Sequence, residues 1–408
     1  MTKRYGMWSY TVGAAAARTG DEMSGPALLL AGYALTGSAA VGSALLACVT
    51  ATAPLGGPVF GVLLDRSARP GLLLAGALAG YAAALGVIVW SLGPVPLPVV
   101  LVIAAAAGLA APALAGGWTS QLPRVVPAAS LPRATAFDAM TFNLAGLTGP
   151  ALAGIVAGLA GADVAVLTSA ALICLALPSA RALPPPRDHA RRATPTTSIG
   201  TDLAAGFRAV FRTPPLARAT AASMSSCVGQ GILVAYSPVA GERTFGSAAH
   251  GTILLSVVAA SALTTNALLA RRPHAVRPDT VMWCSPLLLA GAFLLAATGR
   301  PIPTIAAMVL VGVGEGPQLT ALFAIRHREA PVPLRSRIFT TGASLKITTF
   351  ALGATLTALL APAQHPLPLY AATLFECLAA SAYIRVRGPE CRFGSTQRRV
   401  RACDGGER

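Results

Sequence analysis

Residues 71–119 read GLLLAGALAGYAAALGVIVWSLGPVPLPVVLVIAAAAGLAAPALAGGWT, a stretch without one Asp, Glu, Lys or Arg. Gly93, Pro94 and Pro96 divide it into two apolar runs, 71–92 and 97–119. Crossing the hydrocarbon of a bilayer takes about 20 mostly apolar residues per helix. A helix suits that setting because it satisfies its own backbone groups. The stretch therefore predicts two membrane-spanning helices joined by a tight turn.

Working outward, apolar windows broken by charge, Gly and Pro predict further spans near 8–34, 39–63, 134–159 and 163–180, completing a first half. Beyond a polar linker lie 216–241, 249–270, 279–297, 302–325, 338–360 and 367–384. Of the 408 residues, 54% are hydrophobic and 11% charged, and the mean hydropathy is +0.64. A water-soluble chain of this length carries roughly a quarter charged residues. The expected fold is an all-α integral membrane protein of about twelve transmembrane helices. Its expected divisions are an N-terminal six-helix half over 1–180, a cytoplasmic linker over 181–215, a C-terminal six-helix half over 216–385 and a basic tail over 386–408. The N-terminus carries Arg18, Asp21 and Glu22 where a cleaved signal needs apolar residues, so it is read as the first span.

The net charge of +16 raises the question of nucleic acid, but sorting Lys and Arg by loop answers it. Twenty-seven fall on one side of the predicted layout, two (Arg243 and Arg300) on the other, and two (Arg18 and Lys346) inside spans. Positive residues concentrate in cytoplasmic loops. Both termini are thus expected in the cytoplasm of a multi-pass protein of the cell membrane, with no nucleic-acid partner. The linker segment DLAAGFRAVFR, 202–212, is a candidate surface-lying helix. The seven cysteines, Cys48, Cys174, Cys227, Cys284, Cys377, Cys391 and Cys403, include no CxxC pair, so neither disulfides nor a metal site is expected.

Self-comparison reveals a repeat. GSAAVGSALL at 37–46 returns as GSAAHGTILL at 246–255, an offset of 209. At an offset of 204, Gly108 falls on Gly312, Arg124 on Arg328, Pro127 on Pro331, Arg133 on Arg337 and Gly149 on Gly353. An even number of spans separates the copies, which predicts two parallel repeats around a central cavity.

The segment GVLLDRSARP, 61–70, resembles the signature between helices 2 and 3 of the major facilitator superfamily. Gly61, Leu63, Asp65, Arg66 and Arg69 match, while Ala68 and Pro70 depart from it. The resemblance implies a cytoplasmic gate, and a carboxylate such as Asp65 suits helix N-termini and arginines there. Asp138, after Arg133 at the start of span 5, is expected to join that network. FNLAGLTGPALAG, 142–154, resembles the helix-5 motif of the family's antiporters through Gly149, Pro150 and Gly154, with Ala145 and Ala153 where glycine is usual. Helix packing explains the same small residues. RTGDEMSGPALLLAGYALTGSAAVG, 18–42, resembles the opening of bacterial drug and siderophore exporters of this superfamily.

An ionisable group within a span costs roughly 2.5–3.5 kcal/mol on insertion scales, so each one needs a reason. Asp21 and Glu22 follow Arg18 by three and four residues, so either could pair with it on one helix face. Alternatively, one of them exchanges a proton. Glu315 lies between Gly314, Gly316 and Pro317, which predicts a bent, partly opened helix 10. Because the family resemblance places helix 10 on the central cavity, Glu315 is the first candidate for proton or cation binding. Lys346 is its candidate neutraliser and Glu376 a further candidate.

No P-loop, GxGxxG, HExxH, GxSxG or paired-Asp motif stands in convincing context, so neither an enzyme nor an ATP-driven pump is expected, and no cofactor. The first expectation is proton-coupled efflux of a hydrophobic or amphipathic small molecule by a monomer in the lipid bilayer. Uptake or facilitated diffusion comes second, and a sensor of the same fold third.

Overall fold

The computed structural model describes residues 6–185, 198–247, 250–273, 275–360 and 366–385; Cys391, Cys403 and the basic tail lie outside them. Among the described residues there are twelve long helices and no sheet. The first six are α1 (Met7–Thr36), α2 (Ala39–Arg66), α3 (Pro70–Ser91), α4 (Leu97–Gly108, resumed through a wide turn at Ala113–Gly117), α5 (Leu131–Ala160) and α6 (Ala162–Leu175). The second six are α7 (Pro214–Phe245), α8 (His250–Arg271), α9 (Pro278–Ala297), α10 (Pro301–Glu329), α11 (Arg335–Leu360) and α12 (Leu367–Arg385). Each matches an expected span to within a few residues. Proline opens α3, α9 and α10, where its missing N–H costs nothing.

Ten of these helices are long and apolar enough to cross a membrane by length and composition. The two that fall short are α1 and α7. Arg18, Asp21 and Glu22 lower the hydropathy of α1, and Arg218, Glu242 and Arg243 that of α7. Both helices pack mainly against other helices, α1 on α5, α6 and α2, and α7 on α11, α12 and α8. Arg18 consequently finds a carboxylate on α5, Asp138 at 2.8 Å, and Arg218 lies over the Tyr383 ring of α12 at 5.4 Å.

The repeat is built in three dimensions by the same close contacts. A Cβ on Gly32 would strike Gly42, and one on Gly241 would strike Gly251, joining α1 to α2 and α7 to α8 at an offset of 209. Likewise Gly108 lies against Val49 and Thr52, while Gly312 lies against Val258 and Ser261. In lipid, such small-residue contacts let helices approach closely enough for dispersion to hold them. Gly37 (φ +69°) and Gly246 (φ +76°) occupy the left-handed region that closes α1 and α7 at matching positions.

The backbone irregularity falls in helix 4 rather than helix 10. α10 runs unbroken from Pro301 to Glu329. Its glycines serve packing: Gly314 meets Leu289 of α9, and Gly316 meets Ala262 of α8. In α4, by contrast, Ala113–Gly117 form a turn of π-helix just after Pro112. Such turns widen a helix and redirect its side chains.

Between the halves, Ile199–Arg212 form an amphipathic linker helix capped by the Ser198 hydroxyl, which accepts from the Thr201 amide at 3.2 Å. Val210 and Ala209 join Leu216, Ala330 and Ile338 in a small apolar cluster.

Candidate functional site

At the end of the bundle that carries the basic loops, α2 meets the first turn of α11. The Asp65 carboxylate accepts from the backbone N–H of Ser336 at 2.9 Å and of Arg337 at 3.1 Å, with the Arg337 guanidinium 3.4 Å away. An anion there satisfies orphan amides and sits at the positive end of the helix dipole. Gly61 and Gly57 make the approach possible: a Cβ at 61 would stand 2.6 Å from the Arg337 Cα, and one at 57 would strike Thr340 and Ser344. Deeper in, Ser344 donates to the Ala53 carbonyl at 2.7 Å.

The remaining signature charges are Arg66 and Arg69. Arg66 binds Asp202 of the linker helix at 2.5 Å, and Asp202 also takes Arg337 at 3.2 Å, so one carboxylate ties both halves to the linker. Arg69 is exposed. Asp138 and Arg133 are corrections. Arg133 is exposed and lies over Phe137 at 5.6 Å. Asp138 is fully buried and belongs to a different network, because five residues turn a helix through about 140° and separate the two side chains.

That network also corrects the expected pairing of Arg18 with Asp21 or Glu22. Arg18 binds Asp138 at 2.8 Å, and it also donates to Thr119 at 2.9 Å and to Thr141. Asp138 further accepts from Tyr10 at 2.8 Å and from Thr119 at 2.8 Å. Side chains lean toward their helix N-terminus, so Arg18 points away from residues one turn further on. Phe142 covers the guanidinium at 3.7 Å. Thr119 reaches this pair immediately after the π-helical turn. Tyr10, Thr119 and Thr141 carry no signal in the sequence beyond being polar within spans.

Between the halves lies a cavity of about 350 Å³. Arg18, Asp21 and Glu22 of α1 and Phe142 of α5 face it from one side. Cys227 and Gln230 of α7, Arg326 of α10 and Lys346 of α11 face it from the other. Phe323 contacts Phe142 at 5.5 Å and Phe339 at 5.9 Å, a seam of rings joining the halves. A second cavity of about 390 Å³, among α5, α8 and α10, offers Arg277, His327 and Arg328. Arg328 is already held by Asp279 at 2.9 Å, and no carboxylate lines that space, so the central cavity is the candidate site.

Glu315 is half-buried and does not line the cavity; it stands within electrostatic reach of Lys346 and Glu376. Glu376 is fully buried, accepts from Ser226 at 2.8 Å, and fits where Gly229 leaves room. Arg326, read from the sequence as a loop residue beside His327 and Arg328, is instead 2% exposed within α10. Moving it from the loops leaves the charge asymmetry of the two faces intact. In the helix-5 motif, Gly149 lies against Glu22, where a Cβ would come within 2.7 Å of the Glu22 Cβ. Gly154 has nothing within 4 Å of such a Cβ and Pro150 is exposed, so only Gly149 packs on the cavity wall.

Among the described residues, no three His, Cys, Asp or Glu side chains converge as a metal site requires.

The model of the Major Facilitator Superfamily matches residues 10–358. An uncharacterized MFS-type transporter, y4rN, from Sinorhizobium fredii (strain NBRC 101917 / NGR234) is 28% identical over 313 residues, 73% of this chain and 71% of that protein. Among solved structures, a bacterial homologue of the iron transporter ferroportin in an outward-facing state superposes with a TM-score of 0.75 at 17% identity, covering 93% of this chain and 98% of that one. The human organic anion transporter MFSD10 (TETRAN) gives 0.75 at 17% identity over 94% and 99%. The proton:xylose symporter XylE gives 0.72 at 12% identity over 93% and 95%.

Proposed function

We propose, for a chain that belongs to the Major Facilitator Superfamily of transporters, proton-coupled efflux of a small amphipathic molecule across the cell membrane by alternating access. The observation that carries this reading is the position of Asp21 and Glu22. Both line a cavity shared by two six-helix repeats, and among the described residues no cation forms an ion pair with either. Two carboxylates facing such a cavity serve as a site for which a proton and a cationic group of the substrate compete. Loading of one then favours release of the other as the cavity changes sides. Gly149, which in the antiporter-like motif packs against Glu22, supports exchange over symport.

The gate supplies the switch. Asp65 on the amides of α11, with Asp202 bridging Arg66 and Arg337, holds one end of the bundle shut. Breaking these contacts opens that end. The concentration of basic residues supports reading it as the cytoplasmic end, with both termini in the cytoplasm; the working unit in this reading is a monomer. The experiment is flux into inside-out vesicles across a panel of dyes, antibiotics and siderophore-like compounds. Accumulation that collapses on adding an uncoupler is expected. Accumulation indifferent to the uncoupler would favour facilitated diffusion instead, and absence of flux for every compound would count against transport of these classes.

A further inference from the structure

The central cavity carries opposite charges on its two sides, and the repeat explains how. Offset 209 places Cys227 and Gln230 of α7 where α1 has Arg18 and Asp21. Offset 204 places Gly342 and Lys346 of α11 where α5 has Asp138 and Phe142. The second half therefore lacks both members of the buried arginine–aspartate pair. In its place Arg326 enters from α10, its guanidinium pressed against Gly342.

Arg18 contributes little net charge because Asp138 neutralises it at 2.8 Å. The α1 side is left with Asp21 and Glu22, and the Tyr81 hydroxyl stands beside Asp21. On the facing side, Arg326 is 2% exposed and makes no ion pair or hydrogen bond among the described residues, its Nε being buried without a partner. Lys346, half-buried on the same side, has no carboxylate within ion-pair distance among them either. A buried guanidinium left unpaired costs several kcal/mol, and a ligand anion can recover that cost. Phe142, Phe323, Phe339 and Phe350 supply the apolar lining.

We infer that the cavity binds a small zwitterion with an aromatic or apolar body. Its anionic group sits on Arg326 and Lys346, and its ammonium group on Asp21 and Glu22. This deepens the transport reading and rests on it only for the steps after binding. The ammonium end competes with the coupling proton, and the acidic end fixes orientation. A singly charged compound leaves one side unsatisfied, which is how charge complementarity gives specificity.

The test is equilibrium binding to the full chain in lipid nanodiscs, using three isosteric probes. 4-(Aminomethyl)benzoic acid carries both charges, 4-(aminomethyl)benzamide only the positive one, and 4-(hydroxymethyl)benzoic acid only the negative one. The zwitterion should bind at least tenfold more tightly than either relative. Lys346→Gln should reduce its advantage over the cation, and Glu22→Gln its advantage over the anion, each at least threefold and each replacing a half-buried or exposed side chain with an uncharged polar one. Equal affinity for the zwitterion and a singly charged probe overturns the inference, as does the absence of saturable binding for all three. Because binding is read without flux, a zwitterion that binds but is not moved leaves the inference standing and sinks the transport reading. Uncoupler-sensitive flux of other compounds with no preference for the zwitterion does the reverse.

Discussion

Two arginines, one in each half of the molecule, live in opposite circumstances. Arg18 is surrounded by Asp138, Thr119 and Thr141, with Phe142 over its face. Arg326, as deeply buried, has Phe339 at 5.9 Å and no polar partner among the described residues. The halves share their glycine contacts, their caps and their helix order, so the helix arrangement is one design used twice, apart from the π-helical turn in α4. What diverged is the polar lining. One buried charge is paired with a carboxylate and holds three helices together, whereas the other faces the cavity with no carboxylate partner among the described residues. The first is a structural arginine and the second is available for a ligand.

The largest expected effect breaks the satisfied member. Asp138→Ala leaves the buried Arg18 without its carboxylate, and removing one partner of a buried pair costs about 3–5 kcal/mol. A steep fall in the apparent unfolding temperature in detergent is expected, with recovery in the double variant Arg18→Ala/Asp138→Ala. Arg326→Ala should lower that temperature far less, since no partner is orphaned. Equal losses for the two single variants would remove the contrast.

Converting one half toward the other comes next. Gly342→Asp places a carboxylate at the repeat position of Asp138, against the flexible end of Arg326. The expected outcome is a higher unfolding temperature together with at least tenfold weaker binding of 4-(aminomethyl)benzoic acid, measured in nanodiscs. Unchanged binding would mean that Arg326 does not hold the ligand.

The gate effects are smaller. Asp65→Asn removes the charge from the first turn of α11, a change of about 1 kcal/mol, which is roughly fivefold in the ratio of closed to open states. Spin labels at the exposed positions Ala68 and Val332 should report a larger population at long distance. Asp202→Asn weakens partly exposed pairs worth at most about 1 kcal/mol, so the same labels should shift less, and less again at high salt. A larger effect from Asp202 than from Asp65 would make the linker helix, rather than the helix cap, the main latch.

Much of the architecture was readable from apolar run length and from the distribution of Arg and Lys, because lipid imposes both directly. The pairing of Asp65 with a helix N-terminus was also readable, since a carboxylate at a span's end has few other uses. The partner of Arg18 was not. Helical spacing offered Asp21 and Glu22, but the arginine side chain leans the other way, and the true partner lies 120 residues along the chain. Arg326 was hidden by its neighbours His327, Arg328 and Glu329, which read as the start of a loop although α10 continues through them. The glycines around Glu315 suggested an opened helix, yet they face α8 and α9, and it is α4 that departs from regular geometry.

The most direct measurement compares the two halves as carriers of the coupling proton. Uncoupler-sensitive flux in inside-out vesicles would be recorded for wild type, Glu22→Gln and Glu315→Gln with one transported compound, alongside gradient-free exchange. The expected result is that Glu22→Gln abolishes the uncoupler-sensitive part while exchange persists, and that Glu315→Gln, whose carboxyl does not line the cavity, keeps much of its coupling. Full coupling in Glu22→Gln with its loss in Glu315→Gln would place proton exchange in the C-terminal half and contradict the division of roles between the two sides of the cavity.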